Sequence, residues 1–179
     1  MDENTAGFIV EPIQGEGGIN VPDSSYLSKV RALCDRHDVL LIIDEIQTGV
    51  GRTGTFLASQ KEKVSGDILC LGKGLAGGIP VGATIVSDKV ASAIPKHIHT
   101  STFGGNPLAS RGVIVVLETL TPTFLEQIKE KGIYFKEKLN SLNSKLFDQV
   151  LGEGLMLGLR VKDKRNDILK KFQEVNVLV

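Results

Sequence analysis

The sequence predicts an α/β protein in which a mostly parallel sheet carries helices on its faces. Short apolar runs alternate along the chain with longer amphipathic segments, the pattern of parallel strands joined by helices. Apolar residues make up 41% of the 179 residues, enough for a packed core. Acidic and basic residues balance at 21 each, so charge gives no reason to expect nucleic acid or an anionic membrane as a partner.

Four strands and one helix are predicted in the first half of the chain. The strands are short apolar runs expected at 6–11, 39–43, 68–71 and 82–87. The second run contains no polar residue, which is typical of a strand buried on both faces. Between the first two strands, Leu27, Val30 and Cys34 share one helical face, which predicts a helix from an N-cap at Asp23 to about His37.

Proline-led start signals predict two helices in the second half of the chain. Asn106 and Pro107 begin one helix, and Thr121 and Pro122 begin a longer one that we expect to reach about residue 146. A strand and a further helix are expected after them, at 155–161 and 166–174.

The apolar end of the chain, residues 175–179, is typical of the beginning of another strand. An unpaired apolar strand invites aggregation, so we interpret the chain as a fragment of a larger protein. Residues 1–120 are assigned to part of a large domain that holds the sheet. Residues 121–179 are assigned to a connecting helix and the beginning of a second unit, which the family resemblance described below implies is an incomplete C-terminal small domain.

Polar groups are predicted at the carboxyl ends of the strands, where parallel α/β sheets bind their ligands. Glu11 and the nearby Glu16 follow the first strand, the segment 44–47 follows the second, and Lys73 follows the third. Carboxylates and an amine are therefore expected at the same edge of the sheet.

Lys73 is the strongest single candidate because it lies in a glycine-rich stretch. A lysine in a desolvated pocket has a lowered pKa, and its neutral amine attacks carbonyl groups. A solvated loop lysine is the alternative. A nucleotide phosphate loop is a poor match, because it needs four residues between its first glycine and Gly-Lys, followed by Ser or Thr. Here five residues separate Gly66 from Gly72, and Gly74 follows Lys73.

Asp44 ends a fully apolar run, and two functions fit an acid at that position. It could be a solvated strand end, or it could face a cationic partner such as a pyridinium nitrogen, which a carboxylate keeps protonated. The run also resembles the magnesium-binding strand of nucleotide hydrolases, but in those proteins the phosphate loop precedes this strand.

Farther along, Ser101 and Thr102 precede a glycine pair and a helix start. This arrangement suits either a phosphate or an ordinary helix N-terminus.

Other features indicate an ordinary intracellular protein. Cys34 and Cys70 lack metal-type spacing, and His97 with His99 lacks a third ligand, so no metal site is expected. Isolated cysteines favour a reduced, cytoplasmic location. The N-terminus lacks a signal-type apolar region, and no apolar run is long enough to span a bilayer.

Taken together, these segments resemble the class III (ornithine-type) aminotransferases of fold type I, which depend on pyridoxal 5′-phosphate. Four strings carry the resemblance and occur in the family's order: Val10–Gly18, Ile43–Gly49, Gly72–Leu75 and Ser101–Leu108. The resemblance implies that the chain forms part of the cofactor-binding large domain and the start of the small domain.

The resemblance also implies roles for the cofactor-binding residues. Lys73 would bind the cofactor aldehyde as a Schiff base and move protons during catalysis. Asp44 would pair with the pyridine nitrogen, and Gln47 would approach the ring's 3-hydroxyl. Glu45 and Ile46 complete this cofactor-binding segment.

Further roles are implied around the substrate and the subunit interface. Thr102 would bind the cofactor phosphate across the interface of a homodimer, and Ser101 would lie near the substrate of the neighbouring subunit. Glu16 resembles a gating glutamate near the substrate. The resemblance places the family's Ser/Gly phosphate loop, its ring-stacking aromatic residue and its substrate arginines outside these 179 residues, so the isolated chain is predicted to be inactive.

Within the family, the strings around Glu16 and Thr102 look most like members that use N2-acetylornithine. Such enzymes transfer its δ-amino group to 2-oxoglutarate in arginine biosynthesis. Donors of related enzymes remain open: ornithine, succinylornithine, 4-aminobutyrate and lysine-pathway amines. Two other hypotheses are a nucleotide-binding α/β domain and an inactive folding or dimerisation module.

Overall fold

The structure, a computed structural model, describes residues 1–162 and 165–177. Strands and helices alternate through the first part of the chain, and a hairpin and a helix follow the long helix of the second part. In chain order the strands and α-helices are β1 (Gly7–Val10), α1 (Tyr26–His37), β2 (Leu40–Asp44), β3 (Ile68–Leu71), β4 (Ala83–Val86), α2 (Asp88–Ala93), α3 (Pro107–Thr119), α4 (Pro122–Ser141), β5 (Phe147–Glu153), β6 (Met156–Val161) and α5 (Arg165–Glu174).

The four predicted strands of the first half form one sheet, which confirms the predicted α/β class. Its order is β1-β2-β3-β4, with parallel pairs between β1, β2 and β3. β4 is antiparallel to β3. The sheet is therefore mostly parallel, and the carboxyl ends of its first three strands lie at one edge.

The main core lies between α1 and one face of the sheet. Leu27, Val30 and Cys34 of α1 are buried against Leu41 and Ile43 of β2. Successive side chains of a strand point to opposite faces. Asp44 therefore points to the face away from α1.

The first helix begins later than predicted. It starts at Tyr26 with Ser25 as N-cap, so the prediction of Asp23 as N-cap was wrong. The cause is a tertiary contact: the Glu62 carboxylate accepts hydrogen bonds from the backbone N–H groups of Leu27 (3.4 Å) and Ser28 (3.0 Å). A distant carboxylate thus satisfies the free N–H groups that an N-cap side chain would otherwise bind.

The long helix α4 ends at Ser141, so the prediction that it reaches about residue 146 was wrong. Asn143 has a positive φ of 45°, which ends the helical path. β5 follows almost at once, and the sequence reading missed this strand. The predicted starts of α3 and α4 are confirmed, since Asn106 accepts a hydrogen bond from Ala109 N and Thr121 accepts one from Phe124 N.

The β5–β6 hairpin packs against the loop that follows β2, through contacts between glycines and backbone. Leu155 N donates to Arg52 O at 3.0 Å, and Gly154 (φ 52°) lies so close that a Cβ there would come within 2.6 Å of Thr53 C. A Cβ on Gly132 of α4 would come within 2.6 Å of Gly154 C. Loop, hairpin and α4 therefore meet at a junction that leaves no room for side chains.

The end of the chain differs from the predicted strand at 175–179. Val175 and Asn176 form a turn after α5, and the rest of that prediction, Leu178 and Val179, lies outside the described residues. Within the described ranges, no single helix is long and apolar enough to cross a membrane. In the same ranges, one pair of helices, α3 and α4, meets the length and composition for a span when taken together, and the pair is bent by 74°.

Candidate active site at the carboxyl edge of the sheet

Two of the predicted site residues end neighbouring parallel strands. Asp44 is the last residue of β2 and pairs in register with Cys70 of β3. Lys73 follows β3 directly after Gly72 and begins a short 3-10 helix, Lys73–Ala76. The carboxylate and the amine are thus carried by adjacent strands at the same edge of the sheet.

Lys73 has an unusual backbone conformation. Its φ is 50°, in the left-handed region that costs a non-glycine residue roughly 1 kcal/mol or more, and such strain clusters at functional sites. A Cβ on the next residue, Gly74, would meet nothing within 4 Å, so open space adjoins the lysine. The side chain is exposed in this chain, so the expectation of a desolvated pocket around it is not met by these residues alone.

The segment after Asp44 folds back as a tight turn. Asp44 Oδ1 accepts a hydrogen bond from Ile46 N at 3.0 Å, and Gly49 N donates to Glu45 O at 2.9 Å. Gly49 is required at the close of this turn because a Cβ there would lie 2.6 Å from Glu45 O. The turn presents Gln47, half-buried, beside the strand end.

A second loop approaches Gln47 from the end of β1. Gln14 and Asn20 pair across its base through two backbone hydrogen bonds, of 3.1 and 3.2 Å. The Glu11 carboxylate accepts from Gly15 N at 2.9 Å, and a Cβ on Gly15 would overlap the side-chain amide of Gln47. Glu16 is exposed in this loop.

Glu45 differs from the other residues predicted to bind the cofactor. Its side chain is 0% exposed, and both carboxylate oxygens are already engaged. They accept from Thr48 Oγ1 at 2.5 Å, Ala58 N at 3.0 Å and Ser59 N at 2.8 Å. The Glu45 carboxylate is therefore fully occupied by contacts within the protein interior.

A cleft of about 320 Å³ lies beside Lys73. Of the predicted site residues, Ile46, Gln47 and Lys73 line it, whereas Asp44, Glu16 and Thr102 are not part of its lining. The other lining residues come from the loops after β1 and β2, the turn at Gly74 and the start of β6: Ile19, Gly49, Val50, Arg52, Gly74, Leu155, Met156 and Leu157.

The contribution of Arg52 and the hairpin to this cleft was missed in the sequence. Glycines at 152 and 154 indicate a tight turn, and both have positive φ angles. No sequence pattern, however, indicates that this turn packs against the loop after β2. The connection becomes visible only in the hydrogen bond between Leu155 and Arg52.

Ser101 and Thr102 lie in an exposed loop before α3 and are remote in sequence from the cleft residues. Gly104 packs against Ser101, where a Cβ would come within 3.0 Å of the serine Cβ. Large apolar residues beside them are open to solvent, with Phe103 81% and Leu108 69% exposed. Among the described residues, neither hydroxyl makes a hydrogen bond to a residue that lines the cleft.

The clear pKa shifts of buried groups lie near α1, away from the cleft. Burial acts to raise the pKa of Asp67, but hydrogen bonds from Leu41 N and Arg31 outweigh it and hold this pKa below its usual value. Burial raises the pKa of the Cys34 thiol. In the described part of the chain, no group of three or more His, Cys, Asp or Glu could hold a metal ion.

Comparison with known proteins identifies relatives of this chain. The family model described as Aminotransferase class-III matches residues 1–179. The chain is 46% identical to the acetylornithine aminotransferase of Aquifex aeolicus over 179 residues, which is 100% of this chain and 46% of that protein. It is 45% identical to that of Methanopyrus kandleri, covering 91% of this chain and 42% of the relative.

Solved structures agree with this result. An ornithine aminotransferase from Toxoplasma gondii, with PLP at partial occupancy in its active site, superposes with a TM-score of 0.92 at 38% identity. The match covers 99% of this chain and 44% of that one. N-acetylornithine aminotransferase from Stenotrophomonas maltophilia gives a TM-score of 0.86 at 37% identity, covering 97% and 47%. The chain spans less than half the length of each of these proteins.

Proposed function

Because this chain belongs to the class-III aminotransferase family, we propose that the protein is a pyridoxal 5′-phosphate-dependent aminotransferase in which Lys73 binds the cofactor aldehyde. One observation carries the proposal. Lys73 and Gln47 line a single cleft at the carboxyl edge of the sheet, and Asp44 ends the strand next to that of Lys73. This places an amine, an amide and a carboxylate at one edge.

The donor set fits the chemistry of the cofactor. A carboxylate such as Asp44 suits the pyridine nitrogen, an amide such as that of Gln47 suits the ring oxygen, and the Lys73 amine suits the aldehyde. The open space beside Gly74 leaves room for a group attached to Lys73. When bound, the cofactor supplies an electron sink for charge that develops on the substrate.

The chain's own residues would orient the ring and move the proton. Asp44 would keep the ring nitrogen protonated by charge pairing, and Gln47 would hold the ring oxygen through its amide. Lys73 Nζ is the base that takes the proton from the carbon bearing the substrate amine. The tight turn closed by Gly49 fixes the spacing between the carboxylate and the amide.

For the substrate, we propose the δ-amino group of N2-acetylornithine as donor and 2-oxoglutarate as acceptor, in arginine biosynthesis. Relatives that are 40 to 46% identical bear the name acetylornithine aminotransferase, which supports this choice. Ornithine aminotransferases among the structural relatives keep ornithine as the main alternative. Glu16, exposed in the loop that contacts Gln47, is proposed as a substrate-side residue.

We further propose that the protein acts as a homodimer. Ser101 and Thr102 would then serve the neighbouring subunit, Thr102 at the cofactor phosphate and Ser101 at the substrate. Their exposure beside Phe103 and Leu108 supports a surface that a second copy covers. Residues 1–120 would form part of the cofactor-binding domain and residues 121–179 part of the small domain. A cytoplasmic location and inactivity of the isolated 179-residue chain remain predictions.

The proposed lysine is tested by cofactor binding to the intact protein. Pyridoxal phosphate is added, the visible absorbance band of a lysine-bound cofactor is recorded, and borohydride fixes the linkage for peptide mapping. We expect the label on Lys73 and no band in Lys73→Ala. Lys63→Ala is the matched control, because Lys63 is also exposed and has a similar positive φ of 56°. A label on another lysine would refute the assignment.

The substrate is tested with a panel of donors and 2-oxoglutarate. N2-acetylornithine, ornithine, succinylornithine and 4-aminobutyrate are compared by kcat/KM. We expect the highest value for N2-acetylornithine; a higher value for another donor would replace it. Binding of a nucleotide without any visible band on addition of pyridoxal phosphate would instead favour the nucleotide-binding hypothesis.

A further inference from the structure

Glu45 is the one titratable side chain among the proposed cofactor-binding residues whose charged group is fully buried. It lies between Asp44 and Ile46, yet its carboxylate points into the protein and is 0% exposed. A buried carboxylate is costly unless it is hydrogen-bonded, so its position requires strong partners. Its three partners belong to two separate segments of the chain.

The first partner lies within the turn that carries Gln47. Thr48 Oγ1 donates to Glu45 Oε2, and the backbone N–H of Gly49 donates to Glu45 O. Glu45 N in turn donates to Cys70 O of β3 at 3.0 Å. Glu45 therefore holds the turn together through its side chain and carbonyl group. Its backbone N–H links the turn to β3, the strand that leads to Lys73.

The other two partners lie in a distant loop. Ala58 N and Ser59 N open a short 3-10 helix, Ala58–Glu62, and both donate to the Glu45 carboxylate. Both residues are buried. The carboxylate thereby attaches the turn to a buried segment, in addition to the support that the turn receives from the end of β2.

From these contacts, we propose that Glu45 is a positioning residue, which acts through Thr48 to hold the Gln47 amide in place for the cofactor ring. The proposal rests on the proposed function, because it assumes that Gln47 meets the cofactor. It predicts that loss of the carboxylate loosens the turn and weakens cofactor binding, although Glu45 itself does not touch the cofactor through its side chain.

The chain offers a matched control for stability effects. Glu62 has the same kind of partners as Glu45: two consecutive backbone N–H groups, those of Leu27 and Ser28, and one hydroxyl, that of Ser28. These partners belong to the start of α1 and not to the cleft. Glu62 closes the same 3-10 helix that Ala58 and Ser59 open, so Glu62→Gln removes the contacts of that helix with α1 while its two hydrogen bonds to Glu45 are kept.

The test measures the dissociation constant of pyridoxal phosphate for the intact protein. We expect Glu45→Gln and Thr48→Val to weaken binding by about tenfold, the change that corresponds to one lost hydrogen bond. Thr48→Ser, which keeps the hydroxyl, should restore affinity. Glu62→Gln should stay within about twofold of the unmodified protein. If Glu45→Gln does not fold, Thr48→Val decides the question.

A double-mutant cycle separates positioning from general destabilisation. Because Glu45 acts through Gln47, Glu45→Gln added to Gln47→Ala should change cofactor affinity by no more than about twofold. Additive losses, or a Thr48→Val variant that binds as tightly as Glu62→Gln, would overturn the proposal. Absence of a cofactor band in the unmodified protein would instead overturn the proposed function, so the two failures are distinguishable.

Discussion

Replacing Asp67 by asparagine tests how the sheet is attached to α1, on which the position of the active-site edge depends. Asp67 Oδ2 accepts hydrogen bonds from Leu41 N of β2 and from Arg31 Nη1 of α1, both at 2.8 Å. The side chains of Asp67 and Arg31 are each 20% exposed, so water screens this pair only in part. The carboxylate thus joins helix and strand from one position.

The expected loss is about 2 kcal/mol. Hydrogen bonds to a charged group contribute about 1.5–3 kcal/mol each, and asparagine keeps one neutral acceptor oxygen for Leu41 N. Arg31 keeps a second partner, because Asp35 Oδ1 lies 2.7 Å from its Nη2. With a urea dependence of about 2 kcal/mol per molar, the unfolding midpoint should fall by about 1 M.

The effect should also depend on pH. Burial acts to raise the pKa of Asp67, but the hydrogen bonds from Leu41 N and Arg31 outweigh it, so the pKa in the folded protein is lowered. Its stabilisation is therefore fully present above the unfolded value of about 3.9 and is lost as pH falls through the lower folded value. Unfolding curves of the unmodified protein and Asp67→Asn should differ at neutral pH and converge in acid.

Urea unfolding of the intact protein, followed by circular dichroism, checks both expectations. Asp38→Asn is the control, because the Asp38–Lys89 pair is exposed on both sides, at 87% and 63% of the side chains. An exposed pair of this kind should leave the midpoint unchanged within error. An Asp67→Asn midpoint equal to that of the control, or a difference that persists unchanged in strong acid, would refute the reasoning.

Three further predictions concern packing. Gly132→Ala should lower the unfolding temperature, at a cost of about 1–3 kcal/mol, because the new methyl group would overlap the backbone of Gly154. Gly82→Ala should leave the unfolding temperature unchanged, because the nearest atom to its new methyl group lies 3.6 Å away. Cys34 should resist a thiol reagent until denaturant is added, because it is 0% exposed and burial raises its pKa; labelling in the folded protein would contradict this. Leu41→Ala should lower the free energy of unfolding by about 2–5 kcal/mol. Ile9→Ala should lower it much less, because the Ile9 side chain is 63% exposed, and equal losses in chemical unfolding would contradict the described core.

The sheet could be predicted because each of its strands is a short apolar run that is recognisable in the local sequence. The apolar runs that became β2 and β3 end in Asp44 and just before Lys73, and the predicted edge follows from the rule that parallel strands present their carboxyl ends together. The starts of α3 and α4 were predictable for the same reason, since Asn106 and Thr121 bond to N–H groups only three residues away.

The misplaced boundaries and missed contacts depend on interactions between distant residues. The start of α1 is set by Glu62 and the end of α4 by a positive φ at Asn143, neither of which a local pattern specifies. The buried role of Glu45 has the same cause. Its partners Ala58 and Ser59 come from a loop whose path the sequence alone does not indicate.

The central claim is that the Lys73 amine and the Asp44 carboxylate act on one cofactor ring. An experimental structure of the intact protein with pyridoxal phosphate tests it most directly. We predict continuous density from Lys73 Nζ to the cofactor and an Asp44 oxygen about 3 Å from the ring nitrogen. A cofactor joined to another lysine, or an Asp44 side chain turned away from the ring, would contradict it.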